Sequence, residues 1–147
     1  MDNVKAYLRQ IAHNRETVRM LKQRKKDLTM GMTAISGIDY SKDRITSTPK
    51  NAMEEAAWRL LERAESIDRE ILRLVDQTDQ IIAEIAGIQN ATYKTILFKR
   101  YVECKDLKDM AKEMDYSYDH ICHLHGEALD HFRKSAINRS NSQFLNY

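Results

Sequence analysis

Residues 51–88, NAMEEAAWRLLERAESIDREILRLVDQTDQIIAEIAGI, decide how this chain folds. Met53, Ala57, Leu60, Ala64, Ile67, Ile71, Leu74, Thr78, Ile81, Ile85 and Ile88 follow one another at alternating spacings of four and three. A helix turns once in about 3.6 residues, so this alternation holds all of them on one face. Leu61, Leu72, Val75 and Ile82 widen the stripe past a two-stranded seam, which implies more than one covering surface. Trp58 stands off the seam. A helix with so long an apolar face is not stable alone in water, so something must cover it. Gly87-Ile88-Gln89-Asn90 supplies its stop.

The nearest cover lies upstream. Val4, Tyr7, Ile11, Val18, Leu21 and Leu28 outline one face of a helix over residues 3–28, interrupted by Asn14 and Lys25, with Asp2 or Asn3 as its cap. Residues 1–30 hold eight Lys/Arg against three acids, whereas residues 51–91 hold four Arg against nine acids. Opposite charge and matching apolar faces predict a long antiparallel helical hairpin, coiled-coil-like, whose flanking ion pairs steer the pairing more than they stabilise it. Residues 29–50 carry two glycines, the only proline and seven Ser/Thr, and read as the connector. The expected organisation is therefore a hairpin and oligomerisation region over 1–90, with a second region over 91–134 and a flexible polar tail over 135–147.

In that second region the pattern changes to three short helical pieces. Apolar residues fall at Ile96, Leu97 and Tyr101, then at Leu107, Met110, Ala111 and Met114, then at Ile121, Leu124, Ala128, Leu129 and Phe132. Asp106 is placed to cap the second piece, with Asp109 as the acid of a capping box, and Ser117 to cap the third. Two helices joined by so short a turn form a helix-turn-helix, in which the first braces and the second presents an exposed face. The predicted fold class is all-α: a helical hairpin followed by a C-terminal helix-turn-helix.

The stretch LFKRYVECKDLKDMAKEMDYSYDHICHLHGEALDHF, residues 97–132, resembles the C-terminal DNA-binding region 4 of sigma-70 family factors. Leu107, Met110, Ala111, Met114, Ser117, Ile121, Leu124, Ala128 and Leu129 fall in its register. In layout the whole chain is similar to phage and prophage late-gene activators of the RinA/ArpU type. The resemblance implies a sequence-specific regulator that binds double-stranded DNA, with RNA polymerase as a further partner and a homodimer through the hairpin. It implies that Ser117 caps the recognition helix, that Tyr118, Asp119, Cys122 and His123 face base edges, and that Lys99, Arg100, Lys105, Arg133 and Lys134 hold phosphates. Two positions depart from the pattern. Asp115 stands where the turn usually has Gly, and the exposed face lacks the usual Arg, Lys or Gln.

Other classes find less support. Four Gly, one Pro and no period-two apolar runs argue against strands. No apolar run approaches the roughly 18 residues of a membrane span, and the opening residues lack the apolar core of a signal peptide. The expected setting is thus the cytoplasm, with no membrane partner, and the resemblance to phage activators implies that of a bacterial host. Cys104 and Cys122 form no CxxC pair and imply no disulfide framework. His120, His123 and His131 can share a helical face, but no paired ligand spacing repeats, so neither metal nor cofactor is expected. Nothing flanks Cys122 as an acidic orienter or oxyanion donor, so no enzyme is expected. The alternative is a phage packaging adaptor of the small-terminase kind or a coiled-coil scaffold.

Overall fold

The computed structural model describes the backbone of residues 2–36 and 50–144 and the side chains of residues 3–31 and 52–139. Every regular element among them is helical: α1 (Asp2–Ser36), α2 (Lys50–Ala86), α3 (Ala91–Leu97), a π-helical turn (Phe98–Val102), α4 (Leu107–Met114) and α5 (Tyr118–Phe144). Two helices run past the expected limits. α1 continues through Thr29 to Ser36, into the stretch read as connector, where the Thr29 hydroxyl donates to the Lys25 carbonyl at 3.0 Å and so stays satisfied inside the helix. α5 continues through residues 135–144, into the stretch read as tail, with Ser135 and Ala136 still half-buried. The rest of the connector, Pro49 included, and Leu145 and Tyr147 lie outside the described residues.

The chain divides into two compact units, residues 1–15 with 76–147, and residues 16–75. In the first, Leu8, Ile11, Ile81, Ile85, Ile88, Leu97, Tyr101, Ala128, Leu129 and Phe132 form one buried cluster, flanked by Val4, Tyr7, Ile82, Tyr93 and Val102. The packing therefore crosses residue 90, where the sequence pattern changes. Leu8, fully buried, belongs to the inward face of α1, although the spacing favours its neighbour Tyr7. Polar pairs fix the register here. The Tyr7 hydroxyl donates to Glu84 at 3.1 Å, and the Asn14 amide donates to Gln77 at 3.2 Å and to Thr78 at 3.3 Å. Rising along α1 means descending α2, so these two segments are antiparallel. Asn14 is 4% exposed and Thr78 7%, so the interruption in one stripe meets the polar position in the other. A buried pair of this kind penalises any slip that would leave either group facing hydrocarbon.

A second cluster, Ile96, Met110, Ala111 and Ile121, lies where α3, α4 and α5 meet, with Leu107, Met114, Cys122 and Leu124 packed around it. Asn90 starts α3 by accepting from the Tyr93 amide at 3.1 Å, just after α2 has stopped at Ala86.

In the second unit Ala64, Ile67 and Leu74 are buried, and Val18, Leu21, Leu28, Met53, Ala57, Leu60 and Ile71 are half-buried. Lys25, the other interruption in the α1 stripe, meets Asp68 at 2.7 Å. Trp58, Leu61, Leu72 and Val75 are exposed, as are Met20 and Met30. No described helix is long and apolar enough to cross a membrane.

Candidate nucleic-acid interface

The junction between α4 and α5 is built by its caps. Asp106 accepts from the Lys108 amide at 3.4 Å and opens α4, with Asp109 in the first turn. At the other end Asp115 adopts a left-handed conformation, φ 56° and ψ 42°. The Tyr116 amide reaches back to the Ala111 carbonyl at 2.9 Å and the Asp115 amide to that of Lys112 at 3.4 Å. These two bonds make a Schellman turn, which ordinarily takes glycine at the left-handed position; Asp is among the few other residues that tolerate it. Two residues later the Ser117 hydroxyl accepts from the His120 amide at 3.2 Å and starts α5. A chain that must reverse so tightly needs all three devices, and all three stand in the sequence.

The first turns of α5 carry the residues expected to face bases. Tyr118, Asp119 and His123 are exposed, while Cys122 is half-buried against the second cluster. A hydrogen bond with Cys122, one turn on, raises the Tyr118 phenol above its ordinary value. His123 already has a partner, Glu127 at 3.1 Å, and Glu127 also accepts from the Tyr93 hydroxyl at 3.2 Å. His120 lies edge-on to Tyr116 with ring centres 4.9 Å apart, and His131 tilts against Tyr93 at 5.5 Å. Among the described residues no group of three His, Cys, Asp or Glu is placed to hold a metal ion.

The residues expected to hold phosphates are mostly occupied. Lys99 and Lys105 both reach Glu113 at 2.9 Å, and Lys105 also reaches Glu103 at 3.1 Å. These bonds hold the Lys105 ammonium charged well above the usual lysine range and the Glu113 carboxyl below the usual carboxylate range. Lys134 and Arg133 share Asp130 at 2.7 and 2.9 Å, and together lower its carboxyl. Arg100 donates to the Lys105 carbonyl at 2.9 Å, bracing the loop that follows the π-helical turn. That loop reverses at Cys104, left-handed at φ 56°, with the Lys105 amide bonded to the Lys99 carbonyl at 2.9 Å. Leu97 and Tyr101 stand four apart, as in an ordinary α-helix, so the periodicity does not signal the wide turn.

Glu113 therefore neutralises Lys99 and shares Lys105 with Glu103. If these lysines meet DNA phosphates, Glu113→Gln, which frees Lys99 and leaves Lys105 with Glu103 alone, is expected to tighten binding to duplex DNA several-fold at low salt, in an anisotropy titration against wild type. Equal affinities would mean that these lysines do not meet the polyanion.

Two features escape a reading of the sequence. His125, off the helical face shared by His120, His123 and His131, is buried, with its Nε2 3.0 Å from the Tyr101 hydroxyl. Burial first, then the charges of Lys5, Arg100 and Arg9, push its imidazole down to about 4, so it is neutral at pH 7. Lys108 and Lys112, one turn apart on the exposed face of α4, form no ion pair among the described residues. Their helical spacing could have marked them as an alternative to the acid-bound lysines. No protein-family model, curated protein or solved structure matches the chain.

Proposed function

We propose that the chain is a sequence-specific DNA-binding transcription regulator, an activator of phage or prophage late or packaging genes. In this reading α4, the turn at Asp115 and α5 act as a helix-turn-helix of the sigma region 4 kind. The observation that carries it is the paired cap, a left-handed Asp115 followed by Ser117 at the start of a helix whose first three residues are exposed. That arrangement leaves Tyr118, Asp119 and His123 free of the core, as a helix entering a major groove requires. Cys122 contributes its thiol edge. α1 and α2 form an antiparallel hairpin in this reading, which the opposed pairs Tyr7–Glu84 and Asn14–Gln77 within one unit support, and the hairpin serves for homodimerisation or for contact with RNA polymerase.

A selection experiment tests this directly. Selection from a randomised duplex pool should enrich one sequence class with wild type. His123→Ala should relax that class at one or two positions, since a good base-edge contact is worth about 1–3 kcal/mol of discrimination. Enrichment indistinguishable between the two proteins would remove His123 from the interface. A second reading, a packaging adaptor or coiled-coil scaffold, is favoured by Trp58, Leu61, Leu72 and Val75, which leave an apolar stripe exposed on α2.

A further inference from the structure

The acid-bound lysines and arginines around α4 and α5 leave open where a polyanion would find positive charge. Within the unit formed by residues 1–15 and 76–147, a different set of cations forms no ion pair among the described residues. Lys5 and Arg9 stand one turn apart on α1, a rise of about 6 Å, and neither forms an ion pair among the described residues. Arg15, farther along the same helix, donates to the Val102 carbonyl, and Arg100 donates to the Lys105 carbonyl. Both acceptors are neutral, and neither guanidinium forms an ion pair among the described residues. These side chains are brought together by packing rather than by sequence. Leu8 and Ile11 sink into the same cluster as Tyr101, with Val102 against it, and this fixes the α1 cations beside the π-helical turn. The Arg15–Val102 hydrogen bond sets α1 and the π-helical turn side by side. Arg9 and Arg15 are exposed, and Lys5 and Arg100 half-exposed, so all four can meet a ligand.

Like charges held together without counter-ions raise the local potential and attract anions. We propose that Lys5, Arg9, Arg15 and Arg100 form the phosphate-binding surface of this protein, the one that holds the backbone of duplex DNA. This rests on the DNA-binding reading and relocates its electrostatic part: the first turns of α5 read bases, and α1 with the π-helical turn grips phosphates. The division suits the chemistry, because phosphate contacts position a protein on DNA whereas base edges specify the site. It also gives the basic first helix a task that pairing with the acidic second helix leaves free, since Lys5 and Arg9 take no part in that pairing.

The test is a salt-dependent anisotropy titration of the full chain on a mixed-sequence duplex. Lys5→Gln/Arg9→Gln should lower the slope of log K against log salt by about two units, roughly 0.9 for each phosphate left without its cation. Affinity at low salt should fall by about ten-fold or more. Arg59→Gln/Arg69→Gln removes the same charge from exposed positions on α2 and should keep the wild-type slope. The single variant Arg9→Gln, at an exposed side chain, should lower the slope by about one unit and gives the same reading should the double variant melt early. If wild type binds and the Lys5/Arg9 variant keeps its slope, the phosphate surface is overturned while the DNA reading stands. An equal fall in the Arg59/Arg69 variant overturns it too, since net charge alone would then explain the effect. If wild type fails to bind duplex DNA at any salt concentration, the DNA reading itself fails and this surface with it.

Discussion

Ile81→Asp is expected to unfold the core that residues 1–15 share with the C-terminal helices. Ile81 is fully buried, in the cluster that also holds Leu8, Ile11, Ile85 and Leu129. The substitution removes a large apolar side chain and inserts a charge that must be desolvated or protonated. Each effect costs a few kcal/mol, against a total stability of about 5–15 kcal/mol for an ordinary domain. The same substitution at Leu72, on the same helix but 61% exposed, should change stability by less than about 1 kcal/mol. Urea unfolding followed by circular dichroism compares the two. Equal midpoints for Ile81→Asp and Leu72→Asp would contradict the inward placement of the seam.

His125 predicts a loss of stability in mild acid. Its folded value of about 4 lies below the roughly 6.5 of an exposed imidazole, so between these values the unfolded chain binds a proton that the folded chain refuses. The neutral imidazole's contribution is therefore complete above about pH 6.5 and is lost as pH falls toward 4. The shift taken in full corresponds to about 3 kcal/mol; with allowance for partial solvent screening, the expected loss from pH 7.5 to pH 5 is about 1 kcal/mol. Lys5, Arg9 and Arg100 strengthen the effect, because a proton on His125 would join three positive charges. His125→Gln keeps a partner for the Tyr101 hydroxyl and cannot titrate. Its urea midpoint should fall less than that of wild type between these two pH values; parallel falls would show that His125 takes up its proton without cost to the fold.

The period of α2 was legible because each of its seam residues repeats a single physical demand, and those described are buried or half-buried. The caps were legible too, since Asp106 and Ser117 act through their own side chains on amides two or three residues away. What could not be read was pairing. Asn14 and Lys25 look like flaws in the α1 stripe until Thr78 and Asp68 are seen opposite them. Lys99, Lys105, Arg133 and Lys134 look available until Glu113 and Asp130 are seen beside them. The length of α5 was hidden for a related reason: the polar run after Lys134 offers no stripe of its own, yet a helix already held by Leu129 and Phe132 propagates through it.

Whether this chain reads DNA sequence is tested most directly by one titration. Wild-type protein is titrated, across a range of salt concentrations, onto the duplex enriched from the random pool and onto a scrambled duplex of equal length and composition. The expected result is two curves that fall with salt at similar slopes but stay separated by at least about a thousand-fold in affinity, as for specific over non-specific binding. Curves that coincide at every salt concentration would contradict it, leaving at most a basic surface with an affinity for polyanions.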